Sequence, residues 1–395
     1  MHHIILFDDP KIRLQLLPFT YTRPVAGIRC GIWTIAEKWK KWCQAAVSYQ
    51  TESYLSSHFP FTKSEESVYI NGALCPDALL VEKIDQLSNE SILLSAENEI
   101  LAVKTSSDWT PNADTNHLSQ HIYEESLTMI RQVWDIFLNN GAQIKADFAK
   151  IISSGQSAAL TDPFTRCYHP ENIFIEEGAV IKAAILNAEN GPIYIGKNAS
   201  IQEGAVIQGP FSIGESSVLA QGAKIRPNTT VGPFCKVGGE VSNCVILGYS
   251  NKGHDGYLGN SVLGEWCNLG ANTNNSNLKN DHTSVKLHSY VTGSAESTGL
   301  MFCGLFMGDY SKAGISTMFN TGTVVGVSVN VFGAGFQPKH IPSYSWGGHA
   351  EGFSEYRFDK ALAVAKDTVS RRGVFFDEMD EKRMREVFEL TKNQR

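Results

Sequence analysis

"IYIGKNASIQEGAVIQGPFSIGESSVLAQGAKIRPNTTVGPFCKV", residues 193–237, places Ile195, Ile201, Ile207, Ile213, Leu219, Ile225, Val231 and Val237 at every sixth position without a break. Glycine often follows, as in "IGKNAS", "IGESSV" and "VGPFCK". A six-residue period fits neither the 3.6-residue spacing of an amphipathic helix nor the alternation of a hairpin strand. It fits a coil of short flat strands, each turning one aliphatic side chain inward, with successive coils stacked to bury a continuous core. A second run, Met301, Met307, Ala313, Phe319, Val325 and Val331, has the same period, and between the runs the register is lost and regained, with Leu263 and Leu269 again six apart. Residues 165 to 345 are therefore expected to form a parallel β-helix. Periodicity does not set its hand, and the usual crossover rule favours right-handed connections.

The rest of the composition bounds the reading. At 395 residues, 42% hydrophobic and 19% charged, the chain is long enough for two domains or for one domain plus a repeat array. The net charge of −7 carries no long block of one sign, which excludes the basic footprint of a nucleic-acid binder. "MHHIILFDDP" lacks the layout of a secretory signal, and no run of 18 apolar residues occurs, so a cytoplasmic protein without a membrane partner is expected. The eight cysteines are scattered without a C-x-x-C pair and read as reduced, mostly buried thiols.

Residues 1 to 160 have a different texture. "HIILF" reads as a buried strand, "GIWTIAEKWKKW" as a helix presenting Ile32, Ile35, Ala36, Trp39 and Cys43 on one face, and "SVYING" as a second strand. "SLTMIRQVWDIFLNNG" reads as a helix stopped by its Asn-Gly. This is α/β material. After residue 345, "YRFDKALAVAKDTVSRRG" and "DEMDEKRMREVFELTKNQR" read as two helices, the second with the apolar stripe Met379, Met384, Val387 and Phe388, expected to cap the last coil or to prop a neighbouring subunit.

The interruption between the runs contains "NKGHDGYLGN", residues 251–260, where His254 stands beside glycine in a stretch with little charge. Gly253-His254, Tyr257-Leu258-Gly259, Asn268, Gly270-Ala271-Asn272-Thr273 and Asn277 together resemble the acetyltransferase half of the GlmU family, the bifunctional glucosamine-1-phosphate N-acetyltransferase/N-acetylglucosamine-1-phosphate uridylyltransferases. The stretch "HTSVKLHSYVTGSAESTGLMFCGLFMG" resembles the archaeal type of such enzymes more than the bacterial one.

The resemblance implies a left-handed β-helix, His254 as general base, Tyr257 and Asn268 on the sugar phosphate, and Asn277 positioning sugar or acyl groups. It also implies acetyl-CoA lying between the prisms of a homotrimer, with Gly308 and Ala313 as candidate contacts. An amine attacking a thioester must lose a proton, and imidazole titrates near neutral pH, so the chemistry is coherent. The family's phosphate-binding arginine-proline-glycine appears here as "KVGGE", leaving Lys236 nearest, while Lys279 and Lys286 are further candidate cations for the substrate phosphate. The zinc-bound histidines of β-helix carbonic anhydrases need short fixed spacing. His282 and His288, six apart outside any clear repeat, with His254 far upstream, do not supply it.

The start, "ILFDDPKIRLQLLPFTYTRPVAGIRCG", resembles a shortened sugar nucleotidyltransferase through Arg13, Pro18, Thr20, Arg23 and Pro24, without the glycine-rich phosphate loop. That resemblance implies Arg13 and Arg23 as direct phosphate partners. UTP with Mg²⁺ would be the co-substrate, and Asp8 and Asp9 are the carboxylates nearest the expected metal. The expected organisation is a nucleotidyltransferase-like α/β domain over 1–160, a left-handed β-helix over 165–345 and a helical extension over 346–395. The leading reading is acetyl-CoA-dependent N-acetylation of an amino-sugar 1-phosphate such as glucosamine 1-phosphate, coupled to uridylyl transfer giving UDP-N-acetylglucosamine. The alternatives are a nucleotidyltransferase without acetyl transfer, and a non-catalytic scaffold on a β-helix trimer.

Overall fold

The hexads fold as their period dictates. In the computed structural model, which describes residues 3–64 and 67–395, three hexads close one coil, so that Ile195, Ile213 and Val231 stand in register on a first face. Ile201, Leu219 and Val237 do so on a second, and Ile207 and Ile225 on a third. Each of these side chains is at most 1% exposed, so a single aliphatic core runs the length of the stack. The first face is a sheet from Ile173–Ile175 to His340–Ile341. The second runs from Val180–Ile181 to Ser345–Gly348, with Gly352–Glu355 added antiparallel at its edge. The third runs from Arg166–Tyr168 to Tyr257–Gly259 and is continued by the parallel pair Asn274–Asn275 and Met318–Phe319. This is a parallel β-helix of hexapeptide repeats.

The interruption has two separate causes. Thr230 pairs with Val245 and Val245 with Val262, so two coils advance by 15 and 17 residues where the regular coils advance by 18. The chain leaves the prism only later: Val262 pairs with Phe306, and the excursion between them carries an antiparallel hairpin, Lys286–Ser289 with Ser294–Ser297. Met301, expected in the lumen, lies in this excursion and is 48% exposed; the inward column resumes at Met307.

The hairpin places His288 flat against His340 of the first face, with ring centroids 3.5 Å apart, and leaves the His340 Nε2 buried without a hydrogen bond among the described residues. Burial and the neighbouring His288 push His340 down to about 4. An unfolded histidine titrates near about 6.5, so between these values the unfolded chain binds the extra proton. The stability held by a neutral His340 is complete above that upper value and is lost as pH falls through the lower one. Thermal unfolding followed from pH 7 to 4 should show a decline that is shallower in His340→Phe; parallel declines would remove His340 from the account.

One corner of the prism carries an aromatic ladder. Phe234, Tyr249, Trp266, Tyr310 and Tyr344 all hold positive φ, between 53° and 61°, which is costly for bulky side chains. They offset it by packing: Phe234 stacks on Tyr249 at 5.0 Å, Tyr249 on Trp266 at 4.3 Å and Trp266 on Tyr310 at 6.3 Å. The helices Phe358–Ser370 and Glu378–Leu390 cover this ladder with Ala365, Val369 and Met384, and the Tyr344 hydroxyl donates to the Met384 carbonyl at 2.8 Å. They run along a corner and do not simply cap the last coil; Met379, expected in the apolar stripe, is 44% exposed.

The chain divides into two compact units, Met1–Ile28 with Trp33–Asp135, and Arg29–Ile32 with Ile136–Arg395. In the second unit the helix Asp135–Ile152 runs straight through the Asn-Gly expected to stop it. Asn140 is fully buried: its Oδ1 accepts from Gly31 N at 2.7 Å and its Nδ2 donates to the Asn228 carbonyl at 2.8 Å. A Cβ at Gly141 would overlap the Asn228 side chain, so the pair is a packing notch against a β-helix turn.

The first unit is a six-stranded mixed sheet in the order Ala46–Gln50, His3–Phe7, Ser67–Asn71, Ile100–Lys104, Ser91–Ser95, Ser119–Tyr123, the first three parallel. "HIILF" is its buried strand, and the helix Ile35–Cys43 begins at a capping box between Thr34 and Glu37. No helix of the described residues is long and apolar enough to cross a membrane.

Candidate functional site

His254 stands where the second face turns into the third, between the strands Asn251–Lys252 and Tyr257–Gly259. Gly256 makes the turn at φ +127°, and a Cβ there would overlap the Thr273 carbonyl, so only glycine fits. His254 is exposed, and its imidazole makes no hydrogen bond among the described residues. Its backbone carbonyl accepts from Lys252 Nζ at 2.8 Å. A solvated imidazole on a glycine turn, with its ring nitrogens unengaged, can approach and deprotonate a small substrate.

Beside it on the third face, Leu258 points into the lumen and half-buried Tyr257 points out. Asn277 Nδ2 donates to the Tyr257 hydroxyl at 3.0 Å and to Asn260 Oδ1 at 2.7 Å. Burial raises the Tyr257 pKa, so its hydroxyl keeps its proton and can donate in turn. Asn274 and Asn275 hold this edge from the next coil by accepting from the backbone N–H of Tyr257 and Gly259 at 2.8 and 2.9 Å. The structure thus brings Tyr257 and Asn277 together next to the His254 turn.

Asn268 lies on the second face, in an outward column whose register runs Lys236, Asn251, Asn268, Lys312. Asn251 Nδ2 reaches Asn268 Oδ1 at 3.4 Å, and Arg372, from the turn between the C-terminal helices, donates to Asn251 Oδ1 at 2.6 Å. Lys312 and Arg372 are cations the sequence reading missed. The hexad phase could have found Lys312, because it precedes an inward residue and so faces out; nothing local marks Arg372. Lys279 sits on the excursion and pairs with Asp281 at 3.2 Å, and Lys286 is exposed on the hairpin.

The two candidate acetyl-CoA contacts do not hold. Ala313 is in register with Leu269 and Val331 and belongs to the lumen core, and Gly308 is buried. Neither offers a surface to a cofactor outside the prism. The six-residue phase already assigns position 313 inward.

In the first unit Arg13 is 7% exposed and its guanidinium is fully engaged. It donates to Asp8 at 2.7 Å, to the Thr20 carbonyl at 2.5 Å and to the Tyr54 hydroxyl at 3.0 Å, with Thr51 and the Arg23 carbonyl also in reach. Burial raises the Asp8 carboxyl pKa against the pull of Arg13, and both its oxygens accept, from Val25 N and from Arg13 and Thr51. Asp9 caps the short helix Pro10–Gln15, accepting from Lys11 N and Ile12 N at 3.0 Å. The strand His3–Phe7 thus leads directly into this helix. Arg13 is therefore an internal brace and not a phosphate partner, and Asp8 and Asp9 do not fit a Mg²⁺ ion; Arg23 is 4% exposed. A cleft of about 880 Å³ in this unit is instead lined by Lys11, Arg131, Glu97, Glu99 and Glu125 among others, with Arg131 held by Glu99 at 2.5 Å.

Residues 4–156 match the family model described as sugar nucleotidyl transferase. The chain is 33% identical over 144 residues to a bifunctional sugar-1-phosphate nucleotidylyltransferase/acetyltransferase of Sulfurisphaera tokodaii, covering 36% of this chain and 35% of that protein. It is 36% identical over 106 residues to the bifunctional protein GlmU of Methanocaldococcus jannaschii, covering 26% of this chain and 25% of the relative. An uncharacterized acetyltransferase, YaiX, of Escherichia coli is 28% identical over 161 residues, 40% of this chain and 69% of its own length. The chain thus spans only a quarter to a third of the length of the two archaeal relatives.

Proposed function

We propose that the His254 corner is an acyl-transfer site, at which an amino-sugar 1-phosphate of the glucosamine 1-phosphate type takes an acetyl group from acetyl-CoA. The observation that carries the reading is the exposed imidazole, without a hydrogen bond among the described residues, on a glycine turn beside the Tyr257–Asn277–Asn260 cluster. The relatives' names, which join sugar-1-phosphate nucleotidyl transfer to acetyl transfer, support it.

The chemistry balances on this chain's own groups. The amine nitrogen attacks the thioester carbonyl, forming the C–N bond; His254 takes the proton the nitrogen must lose. Collapse breaks the C–S bond, and the imidazolium returns its proton to the departing thiolate. The Tyr257 hydroxyl and the Asn277 amide offer hydrogen bonds to sugar oxygens. Asn268 with Lys236, Lys312 and Arg372 offers amide and positive charge to a phosphate from the second face.

The second and third faces of one prism turn away from each other at the corner. A ligand touching both is enclosed only when another copy lies alongside, and a homotrimer is the assembly proposed. For the first unit the proposal is sugar-nucleotide binding in the cleft at Lys11 and Arg131, with no metal-dependent step assigned.

Ligand binding to the folded state must raise its stability, by about 2.7 kcal/mol at a hundredfold excess over Kd. Thermal unfolding with acetyl-CoA and with glucosamine 1-phosphate should each show an upward shift, and Lys312→Ala with Arg372→Ala should reduce the shift given by the sugar phosphate. Midpoints unmoved by either ligand would refute the proposal.

A further inference from the structure

Lys252 occupies a lumen position. Its register places it between Val237 and Leu269 in a column that otherwise holds Ile201, Leu219, Ala313 and Val331. It is 2% exposed. Burying an ammonium in an aliphatic core costs several kcal/mol unless it is well bonded, and leucine or valine fills the same place in the coils on either side. Stability alone gives no reason for lysine here.

What the lysine does is visible in its bonds. Nζ donates to the Gly238 carbonyl at 2.9 Å and to the His254 carbonyl at 2.8 Å. The first acceptor belongs to the preceding coil and the second to the turn that carries the imidazole, so the ammonium pins one to the other from inside. Gly239, at φ +69°, leaves the space: a Cβ there would lie 2.8 Å from Nζ. The backbone around the turn is fixed by Gly238 N to the Lys252 carbonyl, Glu240 N to the Gly256 carbonyl and Asn272 N to the Asp255 carbonyl. The His254 carbonyl has Lys252 as its only hydrogen-bond donor among those described residues.

We propose that Lys252 is a positioning residue for the reaction at His254: from inside the β-helix it holds the His254 peptide, and through it the direction in which the imidazole leaves the backbone. The inference rests on His254 being the base. Burial lowers the lysine to about 8, against the pull of Asp255, and the neutral amine would still have two N–H donors for the two carbonyls. The hold therefore persists when the proton is lost.

The test is Lys252→Met, which keeps the length of the stem and removes the donors, run beside His254→Ala. A misplacement on the scale of 1 Å lowers rates by as much as about 10²-fold, so kcat for acetyl transfer should fall about 10- to 10²-fold, with KM for the amine changed by less than about threefold. Hydrogen exchange should accelerate in the peptide spanning residues 249–258 and stay unchanged in the coils built on Ile195 to Val237. If kcat in Lys252→Met stays at the wild-type value while His254→Ala is inactive, the proposal is overturned. A rise in exchange throughout all coils would also overturn it, since Lys252 would then be holding the fold and not the turn. If His254→Ala retains full activity, the base assignment is what fails, and the exchange measurement still decides whether Lys252 holds the turn.

Discussion

Replacing His254 with alanine is expected to lower the rate of acetyl transfer by about 10²- to 10⁴-fold, the usual contribution of a positioned general base, equivalent to about 3–5.5 kcal/mol of barrier. The fold should be unaffected, because the side chain is exposed and makes no hydrogen bond among the described residues. The turn owes its shape to Gly256 and to the bonds of Lys252, which the substitution leaves in place. Circular dichroism and an unfolding midpoint within a degree or two of wild type, together with the rate loss, would separate chemistry from stability. Should the rate survive the substitution, the imidazole would be one more solvated corner residue of the prism.

The second large effect is on stability. Arg13→Met should destabilise the first unit by about 3–5 kcal/mol, because it leaves the buried Asp8 carboxylate without its partner. It also removes the guanidinium donor from the Thr20 carbonyl and from the Tyr54 hydroxyl, which keeps its bond to the Tyr21 carbonyl. Pairing it with Asp8→Leu should recover most of the loss, since replacing a whole buried pair with apolar groups is often neutral. The two variants and the double variant, compared by urea unfolding, form the cycle that measures the pair. Arg13→Met unfolding at the wild-type midpoint would mean that the guanidinium is not the brace its contacts describe. Loss of sugar-nucleotide binding in Arg13→Met is likewise expected through unfolding of the sheet end, not through a missing phosphate contact.

These two residues mark what was legible in the chain. One aliphatic residue in six is enough to specify the β-helix, because the lumen admits one side chain per face per coil, and Ile195 to Val237 never break that phase. His254, Tyr257 and Asn277 are singled out by their resemblance to the acetyltransferase half of the GlmU family, and His254 also by its place in the interruption where the phase is lost. The shortened coils could not be foreseen in detail: Thr230 to Val245 and Val245 to Val262 lose residues at turns, where sequence constraints are weak. That shift hides Lys252, whose inward position emerges only when the count is restarted 15 residues after Val237. Arg13 reads as a ligand through its resemblance to the start of a sugar nucleotidyltransferase, whereas its burial depends on Asp8, Thr20 and Tyr54 converging from three segments. Asn140-Gly141 fails for a similar reason: a helix stop and a packing notch look alike until Asn228 arrives from the β-helix.

The central claim, acyl transfer at the His254 corner, is tested most directly by product analysis. Wild-type protein incubated with acetyl-CoA and glucosamine 1-phosphate should yield the N-acetylated sugar phosphate by mass spectrometry, with one free CoA thiol released per product. The same incubation with His254→Ala should yield neither above the uncatalysed level. Absence of product and of thiol release from the wild type, over a panel of amino-sugar 1-phosphates, would contradict the account.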